Sequence, residues 1–322
     1  MIIGYCIEDN RLKEVEDPIA HFTDLVWIDL LEPTPEEKTT LQCHLMIDLP
    51  TREEMAEIEV SARLYQEGEA IFMTATLIAN AETPLPEKAP VTFILHGRRL
   101  ISVRYHRPRA FDTFPKRAAR SELGCMDGTT TLMALLEAVV ERLADLTERE
   151  AMANDTISRQ IFRPDNRDIR VSRDYRAVLE AIGQSGDMTA LLLESLVTLD
   201  RLVTFMMLHA IQSGHGGLKG RLKSLARDIH SLSEHSLFLS QKASFLLEAT
   251  LGMINIEQNA IIKIFSVAAV IFLPPTLVAS IYGMNFRFMP ELGWPFGYPF
   301  AIGLMIVSAL IPFWYFKRKG WL

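Results

Sequence analysis

The sequence has little of what most enzymes and nucleic-acid binders need. Its three cysteines, Cys6, Cys43 and Cys125, show no metal or redox spacing and read as reduced thiols of a cytoplasmic domain. There is no Gly-x-x-x-x-Gly-Lys-Ser/Thr loop, so nothing supports ATP-driven work. The histidines form no ligand pattern: His230 and His235 are five apart and fall on different helical faces, and His209 and His215 stand apart from them. Surface or packing roles account for them. No signal peptide is expected, because Met1 to Ile7 is short, lacks a basic start and meets Glu8 and Asp9 at once. The most telling absence is charge. Ile264 to Tyr282 carries no charged side chain, and neither does Pro295 to Phe316.

Each of those runs is long enough for a helix to cross a hydrocarbon core of about 30 Å. Two buried helices of a soluble core are the other reading, but such helices are seldom so long and so free of charge. The chain is therefore expected to end in a membrane hairpin that turns at Tyr282-Gly283-Met284-Asn285-Phe286. Lys263 precedes the first run, and Lys317, Arg318 and Lys319 follow the second. Basic flanks favour the cytoplasmic side, so both termini are expected inside a multi-pass protein of the inner (plasma) membrane. The outer loop then carries Arg287 and Glu291. Trp294, Tyr298, Trp314, Tyr315 and Trp321 flank the second run as interfacial aromatics do.

Charge divides unevenly. From Asn259 onward there are five Lys/Arg and one acid, which leaves 28 of the 33 basic and 39 of the 40 acidic residues upstream, a net of −11. A surface that acidic excludes a nucleic-acid partner.

The sequence divides into a cytoplasmic α/β domain over 1–125, a long-helix stalk over 126–258 and a transmembrane hairpin over 259–322. Strands are predicted at Ile2–Ile7, Leu12–Val15, Leu25–Asp29, Ala62–Tyr65, Ala70–Ile78, Val91–Leu95 and Leu100–Tyr105. Thr34 with Glu37, and Thr51 with Glu54, are capping-box helix starts. Pro84 to Pro90 reads as a loop, and Gly97 to Arg99 as a tight turn. Long helices are predicted from Thr130 to Ile161 and from about Val171 to Gln212, with Gly183 and Gly186 as weak points and a break at Phe162 to Arg167. Ser213 to Gly217 reads as a turn. Leu222, Leu225, Ile229, Leu232, Leu239, Leu246 and Met253 then form a heptad-like seam interrupted by Ser236, Ala243 and Thr250. Either this helix runs unbroken from Leu218 to Asn285 or it breaks near Gly252.

Steps of four and three from Asn255 land on Asn259, Ile262, Ser266, Ala269, Leu273, Thr276, Ser280 and Gly283. Counting Asn255, five of these nine positions are Asn, Ser or Thr in an otherwise apolar span. A stripe of this kind faces protein or water rather than lipid. It serves either small-residue helix packing or a pore enclosed by several copies of the helix. Pro274 and Pro275 weaken the helix along the stripe. The stripe has no fixed charge, so it suits an ion that keeps its water shell, as Mg²⁺ does.

The Gly-Met-Asn turn, Met289-Pro290-Glu291-Leu292, Tyr315-Phe316-Lys317-Arg318-Lys319 and the terminal Trp321-Leu322 together resemble the CorA family of magnesium transporters. The resemblance is strongest from about Phe238 to Leu322. It implies a homopentamer with a cytoplasmic funnel, whose first membrane helices line the pore. Gly283, Met284 and Asn285 would form the ion entrance, and Asn259, Ile262, Ser266, Leu273, Thr276 and Ser280 the lining, with an apolar constriction at Leu273. It also implies closure by intracellular Mg²⁺ bound between cytoplasmic domains, with Glu248 as one ligand and Glu54 or Glu57 as its partner; ordinary solvated glutamates are the plainer reading of the last two. Arg287 departs from the acid often found there. Mg²⁺ is thus expected as both cargo and regulator. Co²⁺ and Ni²⁺ are possible further cargoes, and no enzymatic activity is expected. The alternatives are a carrier of Zn²⁺ or another divalent metal, and a membrane-anchored oligomeric scaffold that conducts nothing.

Overall fold

The computed structural model describes residues 1–83, 85–162, 174–212, 216–285 and 289–321. The chain forms two compact units, Met1–Leu247 and Glu248–Leu322. The first is built on a seven-stranded sheet: β1 (Ile2–Glu8), β2 (Arg11–Val15), β3 (Trp27–Leu31), β4 (Leu64–Glu67), β5 (Ala70–Ala79), β6 (Glu87–His96) and β7 (Arg99–Arg104). Their order is β2-β1-β3-β7-β6-β5-β4, and only the β3–β7 pair is parallel. The β1–β2 hairpin closes through Asp9 and Asn10, both at positive φ, the two-residue turn that matches strand twist. Gly97, at φ +57°, does the corresponding work between β6 and β7.

One sheet face is covered by α1 (Pro35–Leu45) and α2 (Arg52–Met55), which bury Leu41, Leu45 and Met55 with Ile28, Phe72 and Ile94. Both helices begin with the expected capping boxes. On the other face lie α4 (Arg109–Ala118), α5 (Gly128–Phe162) and α6 (Tyr175–Gln212), joined by the start of α7 (Gly216–Tyr282) through Leu218, Leu222, Leu225 and Ile229. Alternation along β3 sends Trp27 and Asp29 to this second face. There Asp29 takes a buried ion pair from Arg104 at 2.7 Å and a hydrogen bond from Ser102 at 2.6 Å, and Ser102 accepts from Trp27 at 2.9 Å. Breaking one half of such a pair typically costs about 3–5 kcal/mol.

Several expectations are corrected. The predicted strand Ala62–Tyr65 begins only at Leu64, because Val60–Arg63 winds into a short helix, α3. The predicted loop Pro84–Pro90 ends early: β6 starts at Glu87, and Pro90 lies within it opposite Thr76. The helix begun at Thr51 stops at Met55, so Glu57 lies beyond it. Gly183 and Gly186 do not break α6, and Gly216 already belongs to α7. The break predicted at Phe162 to Arg167 lies, past Phe162, outside the described residues.

Helix α7 runs 67 residues without interruption through Gly252, which decides between the two readings of that stretch. The heptad seam is buried at Leu222, Leu225, Ile229, Leu239 and Leu246, and so are its interruptions Ser236, Ala243 and Thr250. Polar residues therefore continue the seam rather than end it. The second unit holds the rest of α7, a short 3₁₀ turn (Pro290–Gly293) and α8 (Gly297–Arg318).

Candidate functional site

Helices α7 and α8 are long and apolar enough to cross a membrane, and only 6% of the most apolar window of each is buried. A core helix of a soluble protein would be mostly covered. The span of α7 has two unlike sides. Val267 is 3% exposed, and the positions on its row, Ile271, Pro274 and Val278, are partly shielded. On α8 the recessed positions are Gly297, Ala301, Met305, Ser308, Pro312 and Phe316, at helical steps of three and four, with Ile302 and Ala309 beside them. Lys263, at the head of the α7 row, has its ammonium 5.8 Å from the Trp321 ring just past α8, which puts that row on the side toward α8. The polar stripe lies across α7 from that row: Asn255, Asn259, Ser266, Ala269, Thr276, Ser280 and Gly283 are exposed, with Ile262 at 60% and Leu273 at 64%. The stripe is bare in the single chain.

Two local features loosen the backbone along the stripe. Pro274 and Pro275 bring no N–H, so the carbonyls of Val270 and Ile271 lose their i+4 donors. Thr276 Oγ1 donates to Leu273 O at 2.9 Å, a side-chain bond back into the helix. The helix closes at the signature turn. Gly283 N–H reaches Ala279 O at 2.9 Å, and Met284 N–H reaches Ile281 O at 3.2 Å, a tightened last turn. A Cβ on Gly283 would sit 3.1 Å from Ala279 O. Asn285 follows directly and is exposed. The end of α7 thus brings together Thr276, Ser280, Gly283, Met284 and Asn285. Arg287 lies outside the described residues, and Glu291 belongs to the 3₁₀ turn that leads to α8.

The C-terminus of α8 carries a contact that the sequence reading missed. Gly320, at φ +69°, ends the helix; its N–H bonds Lys317 O at 3.2 Å, and Trp321 N–H bonds Phe316 O at 3.1 Å. Trp321 stacks on Phe316 with ring centroids 5.4 Å apart. This is a Schellman cap with its apolar contact. It sets the Trp321 ring 5.8 Å from Lys263 Nζ and 6.0 Å from Lys319 Nζ. The signal was legible as a glycine followed by an apolar residue after a basic last turn; the partner on α7 was not.

The acids expected to regulate fall in different compact units, Glu54 and Glu57 in the first and Glu248 at the start of the second. Glu248 and Glu57 are exposed. Glu54 is engaged in its capping box, where its carboxylate accepts from Thr51 N–H at 2.7 Å, and that bond holds its pKa below the usual carboxylate range. Among the described residues, no three His, Cys, Asp or Glu side chains converge on a metal position.

Comparison with known proteins agrees with this layout. The family model described as "CorA-like Mg2+ transporter protein" matches residues 22–318. The magnesium transport protein CorA of Pasteurella multocida is 37% identical over 323 residues, spanning both chains in full. That of Escherichia coli has the same identity over the same span. Among solved structures, the CorA magnesium transporter of Methanocaldococcus jannaschii superposes with a TM-score of 0.81 over all of this chain and 99% of that one, at 18% identity, a likeness of fold. With the family matched over nearly its whole length and relatives above a third identical end to end, the chain belongs to the CorA family of Mg²⁺ transporters.

Proposed function

We propose that the chain is a gated channel through which hydrated Mg²⁺ enters passively, driven by the membrane potential. Membership of a transporter family leaves no enzymatic step to account for. The observation that carries the reading is the bare polar stripe of α7 opposite its shielded row. Such a stripe is costly toward lipid, and one helix cannot enclose a path, so copies of α7 surround an axis. We take the assembly to be a homopentamer in the inner (plasma) membrane, with 1–125 and 126–258 cytoplasmic, 259–322 spanning, and both termini inside. Gly283, Met284 and Asn285 form the outer entrance. Asn259, Ile262, Ser266, Leu273, Thr276 and Ser280 line the path, and Leu273 is the apolar constriction. Uncharged oxygens cannot replace an ion's inner water shell, but they can hold that shell by hydrogen bonds, which suits a cation that dehydrates reluctantly. Co²⁺ and Ni²⁺ pass as hydrated ions by the same route. A dedicated Zn²⁺ carrier calls for soft ligands near the membrane, and the sequence places no His or Cys there.

Closure follows when intracellular Mg²⁺ binds between cytoplasmic domains of neighbouring copies, with Glu248 as one ligand and Glu54 or Glu57 as its partner. Glu54 is the weaker candidate, because binding an ion competes with its cap. The deciding experiment is flux of Mg²⁺ into proteoliposomes that hold the purified protein and a fluorescent indicator. Uptake that needs no nucleotide and rises with an inside-negative potential is expected. A protein that assembles in the bilayer and passes no Mg²⁺ at any potential is a scaffold, and the proposal fails.

A further inference from the structure

Lys263 is the last charge on α7 before the uncharged span, and it heads the row Val267, Ile271, Pro274 and Val278 that packs toward α8. Its neighbour in sequence, Ile262, is on the bare stripe, and Ser266 lies one turn further along. A lysine side chain at that point is long enough to lie toward either side of the helix. In the structure it lies toward α8, with Nζ 5.8 Å from the Trp321 ring centroid. The ring is held there by backbone geometry rather than by chance packing. Gly320 turns the chain at φ +69°, Trp321 N–H bonds Phe316 O at 3.1 Å, and Phe316 stacks on the indole. The face of an indole attracts an ammonium, which biases a flexible side chain between two positions.

We propose that Trp321 is a positioning residue for transport: the cap at the end of α8 holds the Lys263 ammonium on the α8 side of α7, and so keeps a ring of positive charge off the inner mouth of the ion path. The inference rests on the reading that the α7 stripe lines that path. Without the ring, Lys263 is free to swing toward Ile262 and Ser266 in every copy. Fixed positive charge at a mouth lowers the local concentration of divalent cations, and salt screens the effect over about 8 Å at physiological strength.

The test is initial Mg²⁺ flux in proteoliposomes for the unsubstituted protein, Trp321→Ala, Trp321→Phe, Lys263→Gln and the Trp321→Ala/Lys263→Gln double variant, at two ionic strengths. Assembled protein is measured for each by size-exclusion chromatography. Trp321→Ala is expected to slow flux several-fold at low salt, with the deficit shrinking as monovalent salt rises. Trp321→Phe, which keeps a ring, recovers part of the rate. The double variant returns to the Lys263→Gln rate, because no ammonium remains to be misplaced. A purely structural role for Trp321 predicts no rescue by Lys263→Gln and no salt dependence, and that result overturns the proposal. So does a Trp321→Ala protein that transports like the unsubstituted one. A further double variant, Trp321→Ala/Lys319→Gln, is measured beside these; rescue there instead assigns the ring to the other nearby ammonium and also overturns the proposal. If the unsubstituted protein passes no Mg²⁺, the reading of the stripe fails instead, which separates the two failures.

Discussion

Asn285 is the only amide in the signature turn, and it is exposed at the end of a helix whose stripe offers hydroxyls and amides but no carboxylate. If the entrance holds the water shell of the ion, an apolar side chain at Asn285 removes the oxygen that does so. Asn285→Ala is expected to abolish Mg²⁺ flux while the oligomer still assembles, checked by indicator fluorescence beside size-exclusion chromatography. Normal flux through the variant would remove Asn285 from the path. A different kind of residue effect is expected at Gly128, where α5 starts against the turn between β6 and β7. Its N–H bonds Arg98 O at 2.7 Å, and a Cβ there would meet the Arg99 carbonyl carbon at 2.3 Å and Leu100 N at 2.4 Å. Backbone cannot give way as a side-chain tip can. Gly128→Ala is expected to cost at least ~1–3 kcal/mol, read as a lowered Tm, with the transport of the surviving folded protein unchanged.

At the scale of elements, α5 and α6 meet around a group whose burial opposes its charge. Glu150 is 8% exposed, and burial raises its pKa despite Arg149 Nε at 3.7 Å and the nearby Ser185 hydroxyl. A carboxyl whose folded value is raised keeps its proton where the unfolded chain has lost it. Its contribution to stability is therefore fully present below the unfolded value and falls as pH rises through the folded one. Glu150→Gln is expected to raise Tm at pH 8 and to leave it unchanged at pH 4; a gain of equal size at both values would show that charge is not the cause. Periodicity showed the long helices well, because a period of 3.6 sustained over thirty residues or more outweighs single glycines. Thus Gly183, Gly186 and Gly252 are carried by their neighbours. The misses have short-range causes. Pro90 reads as a loop because it lacks an N–H, but it lies in the first part of β6, which pairs with β5 alone before the pairing with β7 begins at Val91. The Asp29–Arg104 pair was hidden because it depends on the one parallel pairing in the sheet, which sets Asp29 beside Ser102 and Leu31 beside Arg104 across 73 residues. The stripe was legible because spacing alone defines it, whereas the Lys263–Trp321 contact needs the packing of two helices.

At the scale of the whole molecule, one continuous helix belongs to both compact units. α7 carries Glu248 and the polar stripe on the same 67-residue element, with the unit boundary falling just before Glu248. The first helix-breaking residues within α7 are Pro274 and Pro275, inside the span. A cytoplasmic ion that binds one arrangement of neighbouring copies better than another can therefore shift the span, but only by its difference in affinity between the two arrangements. Glu248 is exposed on a single chain, so its carboxylate is open to a neighbour's ligands. Glu248→Lys replaces attraction for a cation with repulsion and removes that difference. The variant is expected to keep conducting at internal Mg²⁺ levels that close the unsubstituted channel, with an inhibition curve moved to higher Mg²⁺ by at least tenfold, which corresponds to about 1.4 kcal/mol of lost coupling. The maximal rate at low internal Mg²⁺ should stay the same, because the stripe and the Gly-Met-Asn turn are untouched. Initial rates measured against internal Mg²⁺ separate the two effects. An unshifted curve would exclude Glu248 as a regulatory ligand, and a lowered maximal rate with an unshifted midpoint would mean that the substitution had disturbed α7 itself.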